Sequence, residues 1–247
     1  FDEDWKTCRI GDTSASAKGV IALVGDSYAA SYTVAFDEYF QEAGYTIETF
    51  TRFGCPGLGF PDPGVNGTNL ADQGFVDCRM WSDRVRSELI AREDISTVVF
   101  ISQTPTLAAV EAAGARALGT EDVERTWSML ADAGKTVITV STSPDLEVGM
   151  VPTCLATAPA SDAPCARARS EVVFNSVREE ALDRLGDRVV DINLTNAFCD
   201  EQLCYAVIGG VVVYADERHV SGTYSRTVLE YLGPQLLRSI SSRNAQE

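Results

Sequence analysis

The sequence predicts an α/β fold, a three-layer α/β/α sandwich around a central parallel sheet of about five strands. Short apolar runs recur along the chain, each is followed by a longer stretch that suits a helix, and glycines stand where several of these helices should end. Short apolar strands separated by helices are typical of a parallel sheet that is covered on both faces. With 247 residues, the chain suits one large domain over 1–247.

Strands and helices alternate from the first apolar run to the last helix. We predict strands at residues 20–24, 46–50, 97–101, 136–140 and 188–192. We predict helices at residues 28–43, 76–91, 120–133, 170–185 and 222–232. Right-handed crossovers in such a sheet bring the ligand site to the carboxyl ends of the strands.

Three segments stand outside this alternation. Residues 54–73 and 141–168 are rich in Pro, Gly, Thr and Ala, and we expect both to be loops at the rim of the active site. Residues 241–247 are expected to form a frayed tail.

Charge and hydrophobicity exclude several kinds of partner. The formal net charge is -16, from 36 acidic and 20 basic residues. Such a surface repels nucleic-acid phosphates and anionic lipid headgroups, so we expect no nucleic-acid partner. No apolar stretch reaches the roughly 18 to 20 residues that cross a bilayer. The chain begins at Phe1 without an initiator Met or a signal-like run, so we expect it to be part of a longer protein.

The seven cysteines indicate disulfide bonds and an oxidising compartment, because they stand in loop-like stretches with Pro, Asp and Gly nearby. Local proximity suggests three pairs: Cys55 with Cys78, Cys154 with Cys165, and Cys199 with Cys204. Cys8 is left over, either free or paired with a cysteine upstream of Phe1. The chain has no C-x-x-C pair and no closely spaced His and Cys, so we expect neither a metal ion nor another cofactor.

Ser27 is the first candidate for chemistry. It ends a Gly-Asp-Ser sequence where the first strand should pass into the first helix. Ser27 would then lie at the carboxyl edge of the sheet, with its backbone N–H at a helix N-terminus, where a negatively charged oxygen is stabilised. The alternative is that Asp26 or Ser27 serves only as an N-cap.

Asp216 and His219 are the second candidate, three residues apart just before the last helix. His219 is the only histidine in the chain. An aspartate so placed can hold Nδ1 of the ring while Nε2 faces a nucleophile. A histidine considered alone is more commonly a surface residue. Asp216 and His219 therefore indicate catalysis only in combination with Ser27.

A serine after the first strand together with D-x-x-H before the last helix resembles the SGNH (GDSL-like) hydrolases. Further markers are similar to the SGNH domains fused to bacterial membrane acyltransferase-3 proteins: residues 20–30, Gly54-Cys55-Pro56, Asp77-Cys78-x-x-Trp81, the pair Cys199 and Cys204, and residues 214–226. The resemblance implies an SGNH/flavodoxin-like fold and a catalytic triad of Ser27, Asp216 and His219. It also implies an extracytoplasmic domain, tethered to the membrane by a segment absent from this chain.

The same resemblance implies a function. The domain would move a small acyl group, with acetyl expected, from an acyl donor to a cell-envelope glycan or glycolipid through an acyl-enzyme on Ser27. Its partner would be an integral-membrane acyltransferase-3 domain in the same chain. Two alternatives stay open: a free-standing carbohydrate or lipid esterase with the same triad, and a catalytically silent glycan-binding module.

The chain departs from the family pattern at two places. The Gly-x-Asn-Asp of typical SGNH enzymes, whose Asn donates to the oxyanion, is missing after the third strand. Ser102 or Gln103 would donate instead, or the oxyanion hole would rest on the backbone N–H groups of Ser27 and Gly54. Tyr28 stands where the fused family commonly has His, which should alter the rim of the pocket and leave the triad intact.

Overall fold

The computed structural model describes residues 7–58, 73–105, 118–159 and 161–244, and within them a central sheet has the strand order β1-β3-β2-β4-β5-β7. In chain order the strands are β1 (Cys8–Gly11), β2 (Val20–Gly25), β3 (Thr46–Thr51), β4 (Ile95–Ile101), β5 (Thr136–Val140), β6 (Arg167–Ala168), β7 (Val190–Ile192), β8 (Leu203–Cys204), β9 (Val207–Ile208) and β10 (Val211–Val212). Two short antiparallel ribbons, β6 with β8 and β9 with β10, lie outside this sheet.

Helices connect the strands of the sheet. In chain order they are α1 (Ser27–Ala43), α2 (Gln73–Ala91), α3 (Thr120–Asp132), α4 (Val151–Thr157), α5 (Arg169–Val172), α6 (Val177–Leu185), α7 (Thr195–Phe198) and α8 (Gly222–Asn244). Strand β2 alternates its buried side chains between the two sides of the sheet: Ile21 and Leu23 join the core with α1 and α8, whereas Ala22 and Val24 join the core with α2, α3 and α6. The sheet therefore has a helical layer on each face, as the sequence predicts.

The sheet has six strands rather than about five, because β1 was not predicted. Strand β1 pairs antiparallel with β3, whereas the other neighbouring strands are parallel. It is a four-residue edge strand, and only its last residue is buried. Such a strand has no apolar run and is recognisable only through its partner.

The expected helix over 170–185 is wrong in its middle, where the chain forms α5 and α6 with a break between them. Ser176 caps α6: its Oγ accepts a hydrogen bond from the N–H of Arg178, while Glu179 accepts one from the N–H of Ser176. This reciprocal capping box fixes a new helix start. The following strand begins at Val190 and not at residue 188, because residues 186–188 form a 3-10 turn.

Other expected boundaries also shift. Helix α8 continues through Pro234 to Asn244, so the expected frayed tail is wrong for residues 241–244, and residues 245–247 lie outside the described ones. The expected loop over 141–168 contains α4 and ends in β6. Most of the expected loop over 54–73 lies outside the described residues. The prediction of one domain over 1–247 stays a prediction.

Three disulfides join the cysteine pairs that sequence proximity suggests: Cys55–Cys78, Cys154–Cys165 and Cys199–Cys204. Cys8 is exposed and unpaired. Within the described ranges, no helix has both the length and the apolar composition of a membrane span. The same part of the chain contains no group of three or more His, Cys, Asp or Glu side chains placed to hold a metal ion.

Candidate active site

Ser27 is the first residue of α1, and its neighbour Asp26 is the N-cap. The carboxylate of Asp26 accepts hydrogen bonds from the backbone N–H groups of Tyr28 (2.9 Å) and Gln103 (3.0 Å). Burial raises the pKa of Asp26, and these two hydrogen bonds only partly oppose the rise. Because Asp26 does the capping, the hydroxyl of Ser27 is left to face the rest of the site.

The structure brings Ser27, His219 and Asp216 into one hydrogen-bonded row. Nε2 of His219 lies 2.7 Å from Oγ of Ser27, and Nδ1 lies 2.7 Å from Oδ2 of Asp216. An ionised carboxylate can only accept, so Nδ1 carries the hydrogen and Nε2 is free to accept the proton of the serine hydroxyl. This is the geometry of a nucleophile, a base and a group that orients the base.

Asp216 is held in its ionised form. Burial acts to raise the pKa of its carboxyl, but hydrogen bonds from the backbone N–H groups of Arg218 and His219 and from the ring of His219 outweigh burial, and the net pKa lies below the ordinary value. Both backbone hydrogen bonds go to Oδ1, at 2.9 and 2.8 Å. Oδ2 is thereby left for the imidazole.

The segment that carries Asp216 and His219 is a tight loop closed by its own backbone. Tyr214 and Val220 form an isolated antiparallel bridge, and the N–H of Ala215 donates to the carbonyl of His219 at 2.8 Å. These bonds bring the two ends of the loop together, and the contact between Nδ1 of His219 and Oδ2 of Asp216 shows that the two side chains face each other.

Two contacts from the segment after β5 fix this loop against the sheet. Oγ of Ser143 donates to the carbonyl of Arg218 at 2.8 Å, and the N–H of Val151 donates to the carbonyl of Asp216 at 3.1 Å. Sequence reasoning missed both residues, because a hydrogen bond to a backbone carbonyl over such a separation leaves no local pattern in the sequence.

Tyr28 packs against the imidazole. Its ring centroid lies 5.1 Å from that of His219, with the planes tilted by 55°. The tyrosine is buried, and burial raises the pKa of its hydroxyl. The residue that departs from the family pattern is therefore in direct contact with His219, and it restricts the positions that the ring can take.

The expected oxyanion donors differ in their availability. The hydroxyl of Ser102 is buried and donates its one proton to the carbonyl of Pro56 at 2.7 Å. The role of Ser102 as an oxyanion donor stays a prediction. The backbone N–H of Gln103 is bound to Asp26, while its side chain is exposed. The backbone N–H groups of Ser27 and Gly54 have no hydrogen-bond partner among the residues described.

Gly54 belongs to a turn that starts where β3 ends. The N–H of Arg52 donates to the carbonyl of Gly25 at 3.0 Å, and Arg52 bridges to Cys55 across the turn. Gly54 has φ +68°, a conformation that favours glycine. The turn therefore lies beside the end of β2, from which Ser27 follows.

An α/β sheet with a serine, histidine and aspartate row at the carboxyl ends of its strands defines a class of acyl-transfer and ester-cleaving enzymes. Within that class, the chain matches the family model described as "SGNH domain (fused to AT3 domains)" over residues 1–234. The chain belongs to this family. No curated protein matches the chain.

Several solved structures are similar to the chain, and the three described here are all below 25% identity. The periplasmic domain of a lipopolysaccharide acetyltransferase from Salmonella ser. Paratyphi A has a TM-score of 0.60 and 15% identity, covering 90% of this chain and 85% of its own. A proposed acylhydrolase from Bacteroides fragilis has a TM-score of 0.45 and 12% identity, covering 94% and 90%. A carbohydrate esterase family 2 enzyme with a carbohydrate-binding domain, from Corynascus thermopiles, has 0.46 and 12%, covering 93% and 68%. The first of these shares the fold of this chain.

Proposed function

We propose that this domain is an acyl-transfer enzyme that moves a small acyl group, foremost acetyl, to a cell-envelope glycan or glycolipid through an acyl-enzyme on Ser27. The observation that carries the proposal is the row of two 2.7 Å contacts from Ser27 through His219 to Asp216. Membership of a family of SGNH domains fused to AT3 domains supports acyl transfer.

In the first half of the reaction, Oγ of Ser27 attacks the carbonyl carbon of the acyl donor and its proton passes to Nε2 of His219. Asp216, which is ionised, stabilises the imidazolium that forms. When the tetrahedral intermediate collapses, His219 returns the proton to the leaving group of the donor, and the acyl group stays on Ser27 as an ester.

In the second half of the reaction, the acyl group leaves Ser27 for the acceptor. His219 takes the proton of an acceptor hydroxyl, the acceptor oxygen bonds to the acyl carbon, and the bond from that carbon to Oγ of Ser27 breaks. The proton then returns to Ser27. In both halves, the negative oxygen of the intermediate would be stabilised by the N–H groups of Ser27 and Gly54, with the exposed side-chain amide of Gln103 as a further donor.

The proposed setting is extracytoplasmic. Three disulfides fit an oxidising compartment, and one structure with the same fold is a periplasmic domain. The family description supports an integral-membrane AT3 partner domain in the same protein, which would also tether this domain to the membrane.

Hydrolysis of p-nitrophenyl acetate by the purified domain tests the proposal. We expect Ser27→Ala and His219→Ala to lose at least about 1,000-fold in rate, because each removes a member that the row needs. Ser31→Ala is the matched control: this serine lies one turn along α1, and its Oγ donates only to the carbonyl of Tyr28. Circular dichroism confirms that each variant is folded.

Equal rates in the wild type, Ser27→Ala and His219→Ala would contradict the proposal. Inertness of folded wild-type protein toward a serine-directed fluorophosphonate would favour a silent glycan-binding module instead.

An esterase with water as the acceptor is the second candidate function. The side chains of His219 and Asp216 are 27% and 38% exposed, so water can reach the ring that would activate it. The two functions differ in how the acyl-enzyme partitions. An added acceptor diverts the acetyl group into a new ester in a transferase, whereas an esterase releases acetate at an unchanged rate.

A further inference from the structure

A polar cleft of about 360 Å³ begins beside the candidate active site at Tyr28. It runs along the carboxyl ends of three strands, since its lining includes Ser102 after β4, Ser141 after β5 and Asn193 after β7. The strands are parallel, so these positions share the sheet edge at which Ser27 follows β2. The cleft is therefore an extension of the site, on the side away from the turn of Gly54.

One wall of the cleft is the segment 173–176, which separates α5 from α6. The segment carries Phe174, a residue that is 54% exposed, and next to it the exposed Asn175. The capping box of Ser176 and Glu179 fixes the end of this wall. The break in the expected helix thus builds the wall and presents both side chains to the cleft.

The cleft offers polar groups that are not engaged elsewhere. In the part of the chain that the structure describes, the side chains of Thr142 and Asn175 have no hydrogen-bond partner, and both line the cleft. A hydroxyl and an amide can both donate and accept, as sugar hydroxyls also do. The half-exposed ring of Phe174 supplies an apolar surface for the C–H face of a sugar ring.

The charges of the cleft disfavour an anionic ligand. Among its described lining residues, Asp145, Glu147 and Glu179 are acidic and Arg178 is the one basic residue. Arg178 is buried and already pairs with Asp191 and Glu179, so it cannot turn to a ligand. A carboxylate or phosphate would enter a site with negative charges and without an available cation.

The cleft is bonded directly to the loop that carries His219. Ser143 and Asp145 line it, and both hold Arg218: Oγ of Ser143 donates to its carbonyl, and Asp145 pairs with its guanidinium at 3.5 Å. A ligand in the cleft therefore lies against a wall whose position relative to His219 is fixed.

From these observations we propose that the cleft binds the acyl acceptor as an uncharged sugar, with the reacting hydroxyl directed past Tyr28 toward Nε2 of His219. This inference rests on the proposed function. It assigns Phe174, Asn175 and Thr142 as acceptor-binding residues, none of which takes part in forming the acyl-enzyme. The acceptor gives its proton to His219 and forms the new ester as the bond to Ser27 breaks.

The test separates acyl-enzyme formation from transfer. Wild-type domain is given p-nitrophenyl acetate together with methyl glucoside, methyl galactoside or methyl mannoside, or with the methyl glycoside of glucuronic acid as the anionic match. Nitrophenolate release reports acylation, and mass spectrometry measures O-acetylated glycoside against free acetate. We expect transfer to at least one neutral glycoside to exceed transfer to the uronate about 10-fold or more.

Two cleft variants and one control complete the test. We expect Phe174→Ala and Asn175→Ala to lower the ratio of transfer to hydrolysis at least about 5-fold, while nitrophenolate release without acceptor stays within 2-fold of wild type. Tyr231→Ala is the control, because Tyr231 is an aromatic residue on α8 that is 59% exposed and does not line the cleft. Its ratio of transfer to hydrolysis should not change.

Three results would overturn the inference: no transfer to any neutral glycoside, equal transfer to the uronate, or wild-type ratios in both cleft variants. Failure of the proposed function looks different, because nitrophenolate release would then survive Ser27→Ala. The two failures are read from separate signals in one assay.

Discussion

The two halves of the candidate active site are built in opposite ways. Ser27 follows β2, a buried strand with a parallel neighbour on each side, and it begins the 17-residue helix α1. Asp216 and His219 stand on a loop that one isolated bridge closes and that backbone contacts from distant residues hold in place. The two halves nevertheless meet, because Nε2 of His219 lies 2.7 Å from Oγ of Ser27.

The comparison teaches where a substitution should act. Regular structure positions Ser27 through many backbone hydrogen bonds, so damage there should appear as lost stability. A few individual contacts position His219, so damage there should appear as lost activity in a folded protein. The predictions below test that division, from the largest expected effect to the smallest.

Gly25→Ala should destabilise the half of the candidate active site that carries Ser27. A Cβ at residue 25 would lie 2.0 Å from the carbonyl oxygen of Ile101 and 2.9 Å from Cβ of Ala29. Since the first of these is backbone of β4, the strands must separate, and we expect a loss of about 3 kcal/mol or more in the free energy of unfolding. Urea denaturation measures the loss.

Gly222→Ala is the control for this prediction, because its new Cβ would meet only a side-chain atom of Arg226 at 3.9 Å. Equal stability of the Gly25→Ala and Gly222→Ala proteins would contradict the prediction, because β2 and β4 would then have accommodated the new Cβ without loss.

Asp216→Asn acts on the other half of the candidate active site, the loop that carries Asp216 and His219. It should lower activity while leaving the fold intact. The amide can donate to Nδ1 and so favour the wrong tautomer of His219, and we expect p-nitrophenyl acetate hydrolysis to fall about 100- to 10,000-fold. Glu217→Gln, which alters the neighbouring exposed carboxylate, should change the rate less than 2-fold. Comparable losses in both variants would point to general electrostatics in place of the row of hydrogen bonds.

Ser143→Ala against Ser31→Ala compares the two halves directly. Each variant removes one serine hydroxyl that donates to a backbone carbonyl, of Arg218 in the first case and of Tyr28 in the second. We expect Ser143→Ala to lower kcat about 10-fold with a stability loss near 1 kcal/mol, because the loop depends on few contacts. Ser31→Ala should alter kcat less than 2-fold, since α1 holds Ser27 without it. Equal effects on kcat would contradict the division.

Glu48→Gln examines the sheet on the side away from the cleft. Glu48 is buried on β3 between Arg92 and Arg9, at 3.1 and 2.9 Å. Burial acts to raise the pKa of Glu48, but the two arginines outweigh burial and the pKa lies below its ordinary value. A carboxyl with a lowered folded pKa stabilises the protein above its unfolded pKa, and that stability is lost as the pH falls through the folded value.

We therefore expect Glu48→Gln to be about 1 kcal/mol less stable than wild type at pH 7, with unchanged esterase activity. The difference should shrink as the pH falls through the lowered pKa of Glu48, where the wild-type carboxyl becomes protonated. Chemical denaturation at several pH values measures it, and a difference that is constant with pH would exclude the ion pairs as its cause.

The same division explains what the sequence could predict. Local apolar runs indicate the strand before Ser27 and the helix after it, and Gly44 marks the end of that helix. Their places are therefore predictable within a few residues. Edge strand β1 has no such run; it is a strand because it pairs with β3, where Arg9 meets Glu48. Its existence depends on residues about 40 positions away.

The loop half was predictable in its residue types but not in its supports. D-x-x-H can be read directly, whereas the bond from Ser143 to Arg218 spans 75 residues and depends on the fold. One missed feature did carry a local signal: Ser176 and Glu179 form the S-x-x-E pattern of a capping box, which marks the start of α6. Reading that pattern would have placed Phe174 and Asn175 outside the helix.

Because His219 is the only histidine, the protein contains a built-in spectroscopic probe. The imidazole resonances in a nitrogen-15 NMR spectrum belong to one ring, so they need no assignment. Their chemical shifts report the tautomer of His219, the protonation of Nε2 and the approach of an acceptor. They do so at the place where the two halves of the candidate active site meet. Every variant described above that keeps His219 can therefore be compared at this ring, including those that no longer turn over a substrate.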